Sequence, residues 1–433
     1  MLGLSICLPA ATTGFSNGFG NHRIIQVFRP SLSIFSSSSN GKNCRNTNVV
    51  LSSKTDDLAL TNLDSGSPLR QSRRRVAKVE KFARLPVWPV WTGVIIFLVN
   101  RIFGDAAAAQ LENAVGGRVC PNFFTPAEAT SPFIMLVHHR HSFWAWDPIR
   151  FIQRRFILAE GFPSHPHRGF TTLTYFLRGG FVHRDSLGIQ QTYGRAMNGK
   201  SSGDDSLHSQ WLFTGAGLLH EEMFDSSQDQ ELYQLWINVP SRRKMDPPQV
   251  ELLGNEECPE IGGACCKTVV LAGKFQEVSS KAPIMSDMSI LHITVNPGGT
   301  WVWNDLPKSF ETVVVYVRQG ELEIIENESS SETVPPHHTA YFERVGGDAL
   351  EFFSKNGADV LLLAGEPLFD EKVQAQGSMV MNTPEEINQA YSDYERGFMG
   401  RPWDHYLSNE EWKAHVQSFP CRYQYQKAED KFQ

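Results

Sequence analysis

The 433-residue chain has no acidic residue before Asp56, no Cys-x-x-Cys pair and no basic stripe in its long C-terminal body. Each absence excludes something. Seven cysteines are scattered, and Cys265 and Cys266 are adjacent, which is poor spacing for a shared zinc ion. A reducing compartment with buried or idle thiols is expected instead of a disulfide scaffold. The formal charge of −7 is unevenly spread: residues 1–114 hold 13 Lys/Arg against 6 Asp/Glu, leaving 27 against 41 for the rest. An acidic body of net −14 argues against direct binding to nucleic acid. Hydrophobic residues make up 41% and aromatics 11%, enough for a sizeable core, and the length suits two domains.

The acid-free start, with Ser-rich stretches such as Ser36–Ser39 and sparse Arg, has the composition of a transit peptide over residues 1–55, and plastid suits it better than mitochondrion. Residues 56–114 read as a basic linker. Within it Arg70, Arg73, Arg74, Arg75, Lys78, Lys81 and Arg84 run into LPVWPVWTGVIIFLVN (85–100), sixteen residues without a charge. A spanning helix needs about 20 apolar residues, with a lower limit near 17. Three readings stand. One is a membrane anchor, thylakoid or envelope, with Trp88 and Trp91 at the interface and the basic side facing the stroma. A second is a signal cleaved at Ala107-Ala108-Ala109. The third is a buried core segment.

From about residue 115 the texture changes to short runs rich in β-branched and aromatic residues. Among them are TTLTYFL (171–177), LYQLWIN (232–238), ILHITVN (290–296), VVVYV (313–317) and VLLLA (360–364). Many short strands separated by Gly and Pro predict an all-β barrel or sandwich. TYFLRGG (174–180) resembles VYVRQGE (315–321), so two copies of one barrel are expected, over 115–250 and 251–400. A helix is predicted at 384–396, where Thr383 caps, Pro384 takes the first helical position, Glu386 completes a capping box and Gly397 stops it. Residues 401–433 read as a tail, and the globular part as a monomer.

One constellation carries chemistry. GFPSHPHRGF sets His165 and His167 two apart, and alternate residues of a strand share a face, so both imidazoles aim at one point. FTGAGLLHEEM does the same for His220 and Glu222, with Glu221 directed the other way. Three imidazoles and one carboxylate suit iron, manganese, nickel or copper with coordination positions left open. The denser His clusters VHHRHS (137–142) and PPHH (335–338) lack a strand-paired carboxylate and read as structural. His183 reads as a supporting residue, and Trp211 and Phe213 as core.

The string GFPSHPHRGF…TYFLRGG…HRDS…QW…TGAGLLHEEM, continued by YQLWINVP (233–240), AGEPL (364–368) and the helix at 381–397, resembles the pirin family of the cupin superfamily. The resemblance spans about Phe124 to Gly400. It implies two tandem cupin barrels with a few C-terminal helices, and a metal, Fe(II) foremost, held by His165, His167, His220 and Glu222 in the first barrel. It also implies one of two roles: dioxygen-dependent cleavage of a flavonol such as quercetin, with Glu222 as the catalytic base, or a redox-sensitive regulatory module that binds a protein partner. Two departures stand out. Thr171 replaces the family's usual Glu, and an insert, NGKSSGDDS (198–206), lengthens one loop. Matching Tyr175 to Tyr316 puts Leu306 and Lys308 at the ligand positions of the second barrel, which predicts that it lacks a metal site.

Overall fold

The computed structural model describes residues 72–82, 90–115, 118–124, 126–143, 147, 150–152, 159–195, 209–225, 229–369 and 371–425. The proposed transit segment 1–55, the insert 198–206 and the first residues of the apolar stretch lie outside them.

Two antiparallel β-barrels follow one another. The N-terminal one is built round the sixteen-residue strand Phe170–Asp185, whose two halves serve different layers. Its first half pairs with Ser209–Phe213 and Gln230–Asn238, its second with Gln190–Arg195 and Leu218–Phe224. Gly179 marks the bend between the halves. Its φ is 79°, a left-handed backbone conformation that favours glycine. Alternation sorts the side chains: Thr174 and Phe176 face the barrel interior, while Leu173 and Tyr175 pack in the cluster shared with the second barrel.

The C-terminal barrel has a seven-stranded sheet and a four-stranded one. Its interior is apolar: Trp301 stacks between Phe275 and Phe352 with ring centroids 5.2 and 4.9 Å away, beside Trp303, Leu306 and Phe310. Here two sequence expectations need correction. Residues 72–82 are no linker. Val76–Lys81 is the edge strand of the seven-stranded sheet, paired with His338–Phe342. Arg74 is buried, donating to the Gly347 and Phe310 carbonyls, and Phe82 stacks on Tyr316 at 4.6 Å. The run of basic residues read as a linker, yet pairing with a strand some 260 residues away decided its fate.

The second correction concerns register. Leu306 is buried in the core, but it and the exposed Lys308 lie in the connection after Gly299–Trp303, not on a strand. The strand pair corresponding to the metal-site ladder is Gly299–Trp303 with Leu350–Ser354, whose facing pairs are Trp301/Phe352 and Trp303/Leu350. Large apolar side chains therefore stand at those positions. The gap-free alignment failed because the connection between the two matching strands is longer in the second barrel.

The barrels meet across a polar clamp with pseudo-twofold symmetry. His138 Nδ1 lies 2.7 Å from the Tyr316 hydroxyl, and His292 Nδ1 lies 2.7 Å from the Tyr175 hydroxyl. Each histidine turns its other nitrogen to a carboxylate of its own barrel, Glu231 at 2.9 Å and Asp359 at 3.0 Å. Arg318 joins both carboxylates. These ion pairs and hydrogen bonds hold Glu231 down to about 2 and Asp359 well below the usual carboxylate range, against the opposing pull of burial.

The predicted late helix runs Pro384–Glu395 with the expected Thr383/Glu386 capping box. A second helix, Asn409–Ser418, carries its own box from Ser408 and Glu411. Ser408-x-x-Glu411 was present in the sequence as a signal; residues 401–425 are folded, and Trp412 and Val416 pack with Ala216 and Leu219 of the first barrel. The helix Val90–Val115 is broken at Gly104 (φ 84°, ψ 177°), and among the described residues no helix is long and apolar enough to cross a membrane.

Candidate metal centre

Strand Gly161–His167 pairs antiparallel with Leu218–Phe224, and the register sets His165 opposite His220. His165 and His167 are two apart, so the three rings converge, with centroids 4.4–4.7 Å from one another. One ligand nitrogen from each lies within 4.8 Å of the others, a grouping that stands alone among the described residues. Gly169 makes the turn after this strand possible: its φ is 86°, and a Cβ would lie 2.0 Å from the Val380 carbonyl.

Burial fixes the charge of the trio. It lowers His165 to about 4, and holds His167 and His220 well below the ordinary imidazole value, with the neighbouring rings adding to the effect. The rings are therefore neutral at physiological pH, the form that ligates metals. Their nitrogens are poorly satisfied by protein. His220 has no hydrogen-bond partner on either nitrogen and His167 has none on Nδ1, while His165 Nδ1 is turned 2.8 Å to the Pro163 carbonyl, which leaves Nε2 for a ligand. Buried polar atoms without partners are costly. A metal ion would answer that cost, so the residues fit one.

Glu222, the expected fourth ligand, does not join the grouping. It sits opposite Phe162, on the far side of a register irregularity from the His165–His220 pair. Its Oε2 accepts from Gln234 Nε2 at 3.0 Å, and Thr174 and Tyr193 hydroxyls lie 3.4 Å from Oε1. Burial raises its pKa above the usual carboxylate value despite His183 and these donors. Glu221 points to the other face and pairs with Arg184, as alternation requires.

His183, read from sequence as supporting, lies 3.1 Å from Asp185 through Nε2, with its ring 5.4 Å from that of His220. Asp185 also accepts from the Leu187 and Ile189 amides, so its carboxylate serves the turn. Thr171 is buried with its hydroxyl unpaired, and Trp211 and Phe213 are core. The His-rich decoys are structural. His138 belongs to the clamp, His139 and His141 stack against each other near Phe162 and Phe224, and His338 is half-exposed.

Sequence reasoning missed Arg168. It follows a ligand-type histidine, is buried, and binds the Ala216 carbonyl at 2.7 Å, the Tyr423 hydroxyl at 2.6 Å and Asp393 at 2.9 Å. It thereby ties the metal-site strands to the C-terminal helices. Asp393 and Tyr423 lie over 220 residues away in sequence, and no local pattern announced them.

Comparison with known proteins agrees with this geometry. Residues 116–237 match Pirin and residues 290–400 match the Pirin C-terminal cupin domain. Pirin-1 of Arabidopsis thaliana is 31% identical over 307 residues, covering 70% of this chain and 96% of that protein. Human Pirin is 34% identical over 237 residues, covering 54% and 76%. The structure of quercetin 2,3-dioxygenase from Acinetobacter baumannii is similar with a TM-score of 0.55 at 26% identity, over 65% of this chain and 92% of that one. With both cupin domains matched and a relative covered almost end to end, the chain belongs to the pirin family of bicupins.

Proposed function

We propose that this chain is a metal-dependent dioxygenase acting on a flavonol such as quercetin, with Fe(II) held by His165, His167 and His220, and with Glu222 drawn from Gln234 to the ion as fourth ligand when the metal binds. The observation that carries it is the convergent, neutral histidine trio, in which His167 and His220 are buried with nitrogens that lack protein partners, together with the buried carboxylate of Glu222. Likeness to a quercetin 2,3-dioxygenase supports the substrate class. A bound redox-capable ion, whether iron or instead manganese, nickel or copper, supplies Lewis acidity toward the hydroxyl and ketone oxygens of the flavonol.

The protein's own part is proton handling and exclusion of water. Glu222, a buried carboxylate two residues from His220, takes the flavonol hydroxyl proton as general base. Before the ion binds, Gln234 holds the carboxylate in place. Phe170 and Trp236, edge-on to His167 at 5.2 and 5.5 Å, keep the ring dry. Dioxygen is the oxidant and the flavonol supplies the electrons, so no external donor is required.

Replacing Glu222 by Gln keeps size and an oxygen ligand but removes the base. Oxygen uptake with quercetin should fall about 10²–10⁴-fold per bound metal. A fall only in proportion to lost metal would make Glu222 a ligand and nothing more. If the metal-loaded wild type consumes no oxygen with any flavonol, the redox-sensitive regulatory reading replaces this one, and partner binding should then differ between ferrous and ferric protein.

A further inference from the structure

We infer that the first part of the Val90–Val115 helix docks on an anionic lipid surface, lying in the bilayer interface without crossing it. The inference stands on surface and charge and is independent of the catalytic reading.

Thr92 and Ile96, one turn apart, are buried and mark the inner side of this helix. On the opposite side Val94, Ile95, Phe97, Leu98 and Ile102 form a face about 160° wide at 100° per residue, each between 42 and 69% exposed. Soluble helices put their apolar stripe toward the core. This one turns a second apolar face outward, and such contiguous patches mark interaction sites.

Charge selects the occupant. Between residues 90 and 103 the sole charged side chain is the exposed Arg101, and Arg75, Lys78 and Lys81, at and within the preceding strand, are exposed. Residues 72–103 carry seven Lys/Arg and one acid, Glu80, on a protein whose body is strongly acidic. A second copy docked helix to helix would bring two basic segments together, whereas anionic headgroups attract them, each by about 1 kcal/mol near the surface. Length selects the orientation. Fourteen residues, Val90–Phe103, precede the break at Gly104, and at 1.5 Å per residue they reach roughly 21 Å, short of the ~30 Å hydrocarbon core. An apolar face with basic flanks, tethered to a folded sheet edge, fits the monotopic arrangement.

The test is flotation of the full chain with phosphatidylcholine vesicles and with phosphatidylcholine/phosphatidylglycerol vesicles. Wild type should float with the anionic vesicles, be released by high salt or carbonate, and stay behind with the neutral ones. Phe97→Glu/Ile102→Glu should weaken binding about tenfold or more, and Arg75→Glu/Lys81→Glu/Arg101→Glu should weaken it at low salt. All these side chains are exposed, and an unchanged thermal midpoint would show that the variants are folded. Equal flotation with neutral vesicles, none with either, or variants that bind like wild type would overturn the proposal. Retention after carbonate would overturn the lying orientation. A vesicle-free dimer abolished by Phe97→Glu/Ile102→Glu would assign the face to a second copy instead.

Discussion

The N-terminal barrel lines its interior with His165, His167, His220, Glu222, Tyr193 and Gln234, while the C-terminal barrel fills the corresponding ladder with Trp301, Trp303, Leu350 and Phe352. The same topology thus accommodates a reactive interior in one copy and close packing in the other. Buried imidazoles and a buried carboxylate cost stability. Stacked tryptophan and phenylalanine contribute it. The clamp of His138, Tyr316, His292, Tyr175 and Arg318 joins the two, so the packed barrel can support the reactive one.

The largest expected effect separates the barrels by metal content. His165→Ala or His220→Ala should reduce bound metal from one per chain to essentially none, while His139→Ala and His338→Ala should leave it in place. Elemental analysis that finds equal metal in all four variants would sink the assignment.

Trp301→Ala should do the reverse. Removing a fully buried tryptophan costs about 3–5 kcal/mol, and the Thr268 hydroxyl loses its indole donor. Chemical denaturation should register that loss with metal stoichiometry intact. If the metal leaves in parallel, the two barrels are coupled more tightly than their separate cores imply.

Acid should act chiefly on the metal-free N-terminal barrel. His165 is lowered to about 4 and His139 to about 3, so unfolded chains protonate these rings first as pH drops below 6.5. Stability is therefore full above about pH 6.5 and declines toward 4 and then 3, by about 1.4 kcal/mol per unit of depression. Glu231, lowered to about 2, adds a loss of the same sign below its ordinary value of 4.5. Glu222 opposes the trend, since its raised pKa favours the folded state in acid. Metal-free protein whose thermal midpoint is flat from pH 7 to pH 4 would contradict this balance.

The smallest effect belongs to the tail. Ser408 accepts from the Glu411 amide at 3.2 Å, and Ser408→Ala should cost about 1 kcal/mol. Faster hydrogen exchange confined to Asn409–Ser418 would show that the helix frays without disturbing the trio. Exchange spreading to the strand Leu218–Phe224 would show that the tail supports the site.

What the sequence determined was whatever depends on near neighbours. Spacing of two on a strand put His165 with His167 and turned Glu221 away from Glu222; Thr383, Pro384 and Glu386 started a helix where local capping demands one. Both follow from backbone geometry that repeats within a few residues. Tertiary structure decided the rest: that His220 faces His165, that Val76–Lys81 joins a sheet, that Arg168 reaches Asp393 and Tyr423, and that Glu222 turns to Gln234. Those pairings bring together residues from a dozen to hundreds of positions apart. Their energy depends on which buried polar atoms find partners once the barrels close, and no local spacing encodes it.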